Sequence, residues 1–487
     1  MCALNVVKGM NFYMNYVDKI KKESNNAVDY LYKEIKLNNN TINLISIETI
    51  ASSSDINDFI LKKISLLDNF STNDLYEYLF NYLPAISIKK LNSYDEALNL
   101  LLNGFAIIIV NNEKFIAVET RRDLTRGVSE TDYERGITGP KDSFIEHFNT
   151  NVGLIRRRIK DVNLYLEETI LGKHSKTKVG VMYLNGVCKP DIKEKVLNKL
   201  KKINVDGIID SGYIRKWLNK NSSLFPTIKT TERPDLASQA LLEGKIVIIT
   251  DNSPDILILP TFFIDYFHTS DDYYQKSMNT SFIRIIRLIA FCIAIFLPSY
   301  YIAITTFNVD FIPINLLINF VSQQENVPFP AFIEAFIMII TFEILRESDT
   351  RIPSGMGTAI SILGGLVLGD AAVSAGILSP IMIIVIAISV ISGLIFQSQE
   401  VVNAIRWWRF LLMILSTFFG IYGIFIGLIL IITNLSDTKS FDKDYLYPYA
   451  PINLDEQMDG FVKAKDKKVK FRNPLLSNNK VRGRINE

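Results

Sequence analysis

A chain of 487 residues is about three domains long on the usual scale, and a formal net charge of +2 excludes a nucleic-acid coat or an acidic solvating tail. Its three cysteines, Cys2, Cys188 and Cys292, lie far apart without CxxC spacing, so no disulfide framework is expected, as suits a reducing compartment. The averages hide a division: residues 1–280 are charged and mixed, 281–435 are strongly apolar, and 461–484 carry nine lysines and arginines against one acid.

The chain opens with a polar segment, 1–40. MCALNVVKGMNFYMNYVDKIKK has no sustained apolar core ahead of a small-residue cleavage site, so no signal peptide is expected, and no apolar run precedes Cys2 to suggest lipidation. The N-terminal region is therefore expected to stay in the cytosol. Two stretches then resemble each other. LLNGFAIIIVNN (101–112) and LLEGKIVIITDN (241–252) each run from a helix end through a glycine, Gly104 or Gly244, into a buried strand and a turn. A second strand follows each, KFIAVE (114–119) and DILILP (255–260), as in a hairpin. Upstream, SIKKLNSYD (87–95) parallels TIKTTERPD (227–235), and NLISIETIASSSDI (43–56) parallels KVGVMYLNGVCKPDI (178–192). The preserved order predicts two α/β subdomains of similar topology, 41–138 and 150–265, joined by a linker at 139–149 where Gly139 and Pro140 break the chain. Arg156, Arg157 and Arg158 follow on a helix. Without interleaved aromatic residues they suit a solvated face or acidic neighbours better than nucleic acid.

Residues 266–435 are expected to hold about four to six membrane segments. IIRLIAFCIAIFLPSYYIAITT (285–306) is long enough to span about 30 Å of hydrocarbon, with Arg284 and Arg287 marking a cytosolic end and Pro298 a kink. AFIEAFIMIITFEIL (331–345) holds Glu334 and Glu343, with Arg346 and Arg351 beyond it. SPIMIIVIAISVISGLIF (379–396) follows, then Arg406, Trp407, Trp408 and Arg409 as a cytosolic interface, then a last run over 410–432 with Gly420, Gly423 and Gly427. With 354–376 counted, five simple spans leave the basic tail, 436–487, outside. An anionic inner leaflet is where such a tail belongs, so an even number is expected, with one run re-entrant or 310–324 entering the membrane.

SGMGTAISILGGLVLGDAAVSAG (354–376) combines six glycines with one carboxylate. On a helix, Gly357, Ser361, Gly365 and Gly369 fall at four-residue steps with Thr358 on the same broad side, a small-residue face that admits another backbone closely. Asp370 falls on the bulky side. Exposed to lipid it costs at least about 2.5 kcal/mol, so it is expected to face protein or water, either as a structural cap or along a wet path. Together with Glu334 and Glu343 it makes three acids within membrane runs, enough for a cation route.

GPKDSFIEHFNTNVGLIRRRIK (139–160), DSGYI (210–214), PTIKTTERPD (226–235), DDYY (271–274), LPSYYIA (297–303), FEILRESDTRIP (342–353) and ISILGGLVLGDAAVSAGILSP (360–380) together resemble the GerA family, the A subunits of bacterial spore germinant receptors. The likeness runs from about residue 130 to 435 and is loose over the first hundred. It implies a multi-pass protein of the spore inner membrane with a cytosolic α/β region. It further implies a ring-like homo-oligomer forming a nutrient-gated cation channel, a transporter-like B subunit, a lipoprotein C subunit, and no nucleic-acid partner. Arg156, Arg157, Arg158, Glu232 and Arg233 are the candidate interdomain or interface contacts within the matched motifs. The family has Gln in a pattern like VIGQAAV where this chain has Asp370, so a pore role for that acid is not inherited.

The expected fold is thus an α/β soluble region of two similar subdomains followed by an all-α multi-span membrane domain. An enzyme is disfavoured. His147, His174 and His268 show no metal spacing, GxSxG and GxxxxGK[ST] are missing, and no catalytic, cofactor or metal residue is assigned. A membrane-anchored scaffold or small-molecule sensor, and a secondary-transporter subunit, are the alternatives.

Overall fold

The computed structural model describes residues 16–37, 40–66, 75–85, 87–122, 134, 136, 138–219, 223–324, 327–351, 368–453, 457, 459–465 and 471–478. It divides into two compact units: Met1–Leu218, Thr230–Pro260 and Arg472–Val481 in the first, and Asn219–Lys229, Thr261–Phe471 and Arg482–Glu487 in the second.

In the first unit, helix α1 (Tyr16–Glu23) precedes strands β1 (Tyr30–Leu37) and β2 (Asn40–Ile47). A broken helical segment follows as α2 (Ser53–Asp55), a π-helical turn (Ile56–Leu61) and α3 (Lys62–Ser65), then α4 (Leu75–Tyr82), β3 (Ile88–Leu91), α5 (Tyr94–Leu102), β4 (Phe105–Val110) and β5 (Lys114–Glu119). Helix α6 (Phe148–Arg158) leads into β6 (Leu164–Leu171), β7 (Thr177–Leu184), α7 (Pro190–Lys201), α8 (Ser211–Leu218), β8 (Lys229–Thr231), α9 (Pro234–Leu242), β9 (Ile246–Thr250) and β10 (Ile256–Leu259). The strands form two five-stranded sheets of one order, β1-β2-β4-β5-β3 and β6-β7-β9-β10-β8. The first sheet begins at Tyr30, ahead of the expected boundary at 41. Strand β1 reads YLYKEIKL and lies at the sheet edge, so its outward positions are lysine and glutamate and it looks polar in sequence.

The likeness between halves has a local cause. Gly104 and Gly244 close α5 and α9 at φ +88° and +92°, a region that L side chains rarely adopt. Their N–H groups bond back to Leu101 and Leu241 at 3.0 Å. Strand β4 is buried on both faces, so it reads as an unbroken apolar run rather than an alternating one. Ile107 and Ile109 enter a core shared with α1, α5, α6, α9 and one face of the second sheet, while Ala106, Ile108 and Val110 face the core under α4. Asn111 and Asn112 take positive φ in the three-residue connection 111–113 to β5, where Val110 pairs with Lys114 and the Glu113 N–H bonds to Val110 O at 3.1 Å.

Arg156 stands where the two halves share that core. It is 2% exposed and pairs with Asp29, Nη2 to Oδ1 at 2.8 Å and Nε to Oδ2, and it donates to the Leu164 carbonyl at 3.2 Å. The adjacent Arg157 is exposed. Part of the basic tail also belongs to this unit: Leu476 is 2% exposed, its carbonyl accepts the Lys189 N–H at 3.0 Å, and Arg472 Nε donates to Leu242 O at 2.9 Å.

The second unit contains α10 (Asp271–Tyr274), α11 (Ser277–Thr306), α12 (Ile314–Gln324), α13 (Ala331–Arg351), α14 (Leu368–Ser374), α15 (Pro380–Gly393), α16 (Gln399–Phe419), α17 (Ile421–Asp437) and a hairpin of β11 (Lys439–Ser440) and β12 (Lys443–Asp444). The run expected over 410–432 is corrected to two helices that meet at Gly420. A Cβ at Gly423 would collide with the Leu415 carbonyl and one at Gly427 with the Leu412 side chain. These glycines let α17 fold back tightly on α16, which uniform hydropathy cannot reveal.

The Asp29–Arg156 pair gives a direct test on the full-length chain. Arg156→Met leaves a buried carboxylate without its partner and lowers unfolding stability by about 3–5 kcal/mol, whereas Arg157→Met changes it by less than about 0.5 kcal/mol, as read by denaturant titration.

Candidate functional site in the helical half

The apolar sequence of α11 conceals a polar-to-small stripe. Thr280, Arg284, Arg287, Phe291, Ala294 and Pro298 recur at three- and four-residue steps and are all buried. Both arginines converge on Asp272, which is 2% exposed in the DDYY turn. Arg284 Nε reaches Oδ2 at 3.0 Å, and Arg287 Nη1 reaches Oδ1 and Oδ2 at 3.0 and 2.8 Å. Arg284 Nη1 also donates to Asp459 Oδ1 at 3.0 Å and to Gly460 O at 2.7 Å, and Lys463 Nζ donates to Asp272 O at 3.0 Å. Arg284 and Arg287 thus spend their charge inside the protein rather than at a lipid headgroup, and the tail residue Lys463, 8% exposed, does the same. Burial pushes the Asp272 carboxyl up, but the hydrogen bonds and charges of Arg287 and Arg284 outweigh burial and hold it below its ordinary range.

Further along the stripe, Pro298 has no N–H to give the carbonyl four residues back, Ala294 O. Two other helices supply the donors: Ser389 Oγ of α15 at 3.0 Å and Arg409 Nε of α16 at 2.8 Å. Arg409 is 5% exposed. Gly393, one turn beyond Ser389, sits against its guanidinium, where a Cβ would stand 3.7 Å from Nη2. Trp408 is also buried and stacks on Phe225 at 6.4 Å between centroids. The expectation of an interface at 406–409 is therefore corrected: Trp407 is exposed, but Trp408 and Arg409 belong to the helix core.

The three membrane acids have different fates. Glu343 pairs with Arg406 Nε of α16 at 2.9 Å and with Arg346 on its own helix. Glu334 is fully buried, and its Oε2 accepts the Ser379 N–H at 2.7 Å. Ser379 in turn caps α15, its Oγ accepting the Met382 N–H at 3.4 Å, with Pro380 at the first helical position. Asp370 is exposed, and Gly369 beside it has open space where a Cβ would stand. The small-residue positions Gly357, Thr358, Ser361 and Gly365 lie outside the described residues.

The candidates of the first unit are structural ties. Arg158 pairs with Asp142 at 2.6 Å. Arg233, 2% exposed, pairs with Asp235 at 2.8 Å and donates to Glu134 O and Pro140 O at 3.2 and 3.0 Å, while the Glu232 carbonyl accepts the Phe144 N–H at 2.7 Å. They fasten segments on either side of the linker to the second sheet. Sequence reasoning missed Asp29 and Ser389, and it placed Arg409 at an interface rather than in the helix core. A proline inside an apolar run was the available signal for Ser389 and Arg409, since its orphaned carbonyl needs donors from elsewhere. Among the described residues no three His, Cys, Asp or Glu side chains converge as a metal cluster.

An α/β unit of two like sheets, followed in one chain by a helical unit with buried arginines and carboxylates, defines the class of protein. Two helices, Ser277–Thr306 and Gln399–Phe419, are long and apolar enough to cross a bilayer. The model of the family described as Bacillus/Clostridium GerA spore germination protein matches residues 18–475, and the chain belongs to that family. It is 34% identical over 454 residues to spore germination protein KA of Bacillus subtilis (strain 168), covering 92% of this chain and 84% of that one. It is 30% identical over 485 residues to spore germination protein GerQA of Bacillus cereus, covering 99% and 95%. An uncharacterized membrane protein of B. subtilis, YfkQ, is 34% identical over 423 residues, covering 86% and 82%. Among solved structures, the N-terminal domain of the A subunit of the Bacillus megaterium spore germinant receptor GerK3 aligns with a TM-score of 0.38 at 26% identity, covering 51% of this chain and 94% of that one.

Two tests follow from the buried polar nodes. Asp272→Asn leaves two buried arginines short of their counter-charge and costs about 3–5 kcal/mol in thermal unfolding of the detergent-solubilised protein. Because the folded Asp272 carboxyl lies below its unfolded value, its stabilisation is complete above about pH 4 and is lost as pH falls through the folded value. Acid unfolding of the wild type below about pH 4, blunted in Asp272→Asn, is the check. Ser389→Ala and Arg409→Leu combine non-additively, with a coupling of about 0.5–3 kcal/mol, because either donor alone still satisfies Ala294 O.

Proposed function

We propose that this chain is the A subunit of a spore germinant receptor, a ring-forming homo-oligomer that makes a nutrient-gated cation channel in the spore inner membrane. Its partners are a transporter-like B subunit, a lipoprotein C subunit and the surrounding lipids; it uses no cofactor and no residue is catalytic. One observation carries the proposal: the family match runs over residues 18–475, so it takes in the α/β unit and the helices alike.

The polar interior of the helical unit supports a conduit over an inert anchor. An anchor needs only apolar contact with lipid, whereas this unit buries Glu334, Arg409, Ser299, Ser389 and Ser416. In the proposed topology the α/β unit is cytosolic. Residues 472–478 belong to that same unit, which supports a chain that leaves and returns on one side after an even number of crossings. The hairpin at Gly420 supplies one such return.

Purified receptor reconstituted in sealed vesicles is expected to pass K⁺ or Na⁺ on addition of its nutrient, with the A chains in a closed ring by electron microscopy. A monomer, or vesicles that stay cation-tight, would sink the proposal. The exposed Asp370 gives a graded test. Asp370→Gln keeps assembly intact and lowers cation-over-anion preference by roughly two- to tenfold in the same vesicles, because a fixed negative charge at a pore wall favours cations.

A further inference from the structure

The two like subdomains differ in what fills one position. After β2 and after β7 the chain makes the same turn: the Ala51 and Cys188 N–H groups bond back to Ile47 O and Leu184 O at 2.9 Å, and Ser52 and Lys189 then stand at the N-cap of the next helix. In the first subdomain the stretch directly after β5 returns to this turn. Arg121 forms a β-bridge with Ala51, the Ser52 N–H bonds to Thr120 O at 2.7 Å, and the Arg122 N–H bonds to Ile50 O at 3.0 Å. In the second subdomain the chain does not come back after β10, because from Thr261 it belongs to the helical unit. The tail takes the place instead. Ser477 bridges Cys188, and the Lys189 N–H bonds to Leu476 O at 3.0 Å, the counterpart of the Ser52–Thr120 bond. The neighbouring glycine is shared too. A Cβ at Gly104 would stand 2.9 Å from Ile50 O, and one at Gly244 would stand 3.3 Å from Val187 O and 3.1 Å from Leu476 O.

The arriving segment suits the place. Asn473 and Pro474 open a turn of its own, in which Asn473 O accepts the Leu476 and Ser477 N–H groups at 3.0 Å. Leu476 and Ser477 are 2% and 1% exposed, whereas Phe471 and Asn478 on either side are exposed. Arg472 Nε donates to Leu242 O at 2.9 Å, at the C-terminal end of α9, where a helix leaves carbonyls unpaired and favours a cation. Main-chain bonding at the bridge and a buried leucine beside it are the means by which a fold takes up an added extended peptide.

We infer that the second subdomain carries a docking site for an extended, leucine-bearing peptide segment, formed by residues 187–189 and Gly244, and that residues 472–478 of the same chain occupy it in cis. The first subdomain fills the same position from its own next residues. The second leaves it to residues that follow the last apolar helix, so the α/β unit is finished only after the helical unit has been made. This holds whether or not the chain conducts ions.

Disulfide trapping tests the docking on the full-length chain in lipid nanodiscs, with Cys2 and Cys292 changed to serine. Ser477 and Cys188 form a non-hydrogen-bonded antiparallel pair, whose Cα atoms stand about 4.5 Å apart, within reach of a disulfide. Ser477→Cys is expected to oxidise to an intrachain disulfide with Cys188. Asn478→Cys, whose side chain points the other way, is not. A second readout uses Cys188 itself. Burial pushes its thiol up to about 12, so alkylation at neutral pH waits on exposure. In the same background Leu476→Asp is expected to speed alkylation of Cys188 by about tenfold or more. A chain ended after Lys470 is expected to do the same, and to regain protection on addition of the synthetic peptide RNPLLSNN, residues 472–479, but not of that peptide carrying Leu476→Asp. The peptide arm separates an emptied site from a misfolded chain. The inference is overturned by the lack of a cross-link at Ser477→Cys, by cross-links between chains only, by unchanged alkylation in Leu476→Asp, or by a peptide that restores no protection.

Discussion

The helical unit depends on one backbone carbonyl. Pro298 takes the N–H away from Ala294 O in the middle of α11, and because Ala294 is fully buried that oxygen has no bulk solvent to turn to. Ser389 and Arg409 meet it from two other helices, so a defect in one helix fixes the packing of three. A continuous α11 without proline would leave Arg409 nearly buried with no backbone acceptor there, and such a side chain is expensive in lipid. The proline and the arginine therefore require each other.

The same logic orders the rest of the molecule. Several buried charges in the described residues meet a specific counter-charge within hydrogen-bonding distance: Asp29 with Arg156 in the first unit, Asp272 with Arg284 and Arg287 in the second, Arg233 with Asp235 beside the linker. Such pairs contribute little net stability against a well-packed apolar alternative, but breaking one is costly. Their effect is to make one arrangement of the elements much better than its neighbours. Asp272 is the clearest case, since it joins the turn ahead of α11 to the helix itself and, through Arg284 and Lys463, to residues 459–463.

How much of this was legible in the sequence follows from range. The repeated helix–glycine–strand–turn order was readable because each signal is local: Gly104 and Gly244 at positive φ, asparagines at positive φ in the turns (Asn111, Asn112 and Asn252), and strands buried on both faces. Strand β1 was missed because an edge strand carries its polar residues outward and lacks the apolar run that marks a central one. Membrane acids were readable as candidates but not as roles. Glu334 and Glu343 differ only in what other helices bring to them, Ser379 in one case and Arg406 in the other. The hairpin at Gly420 escaped because hydropathy is uniform on both sides of it. Its cause is the close approach of α16, by backbone at Gly423 and by the Leu412 side chain at Gly427, a property of two helices together.

These distinctions bear on how a conduit and a rigid frame can share one bundle. At Asp272 the charge meets two arginines, although Arg284 Nη2 is buried without a hydrogen bond among the described residues, and the freed carbonyl of Ala294 meets two donors. Such nodes resist rearrangement because an alternative packing would leave a charge or a carbonyl bare. Glu334 differs in keeping one buried carboxylate oxygen without a hydrogen-bond partner among the described residues. Helix α11, tied at its arginines and at its proline, is the element on which both nodes converge.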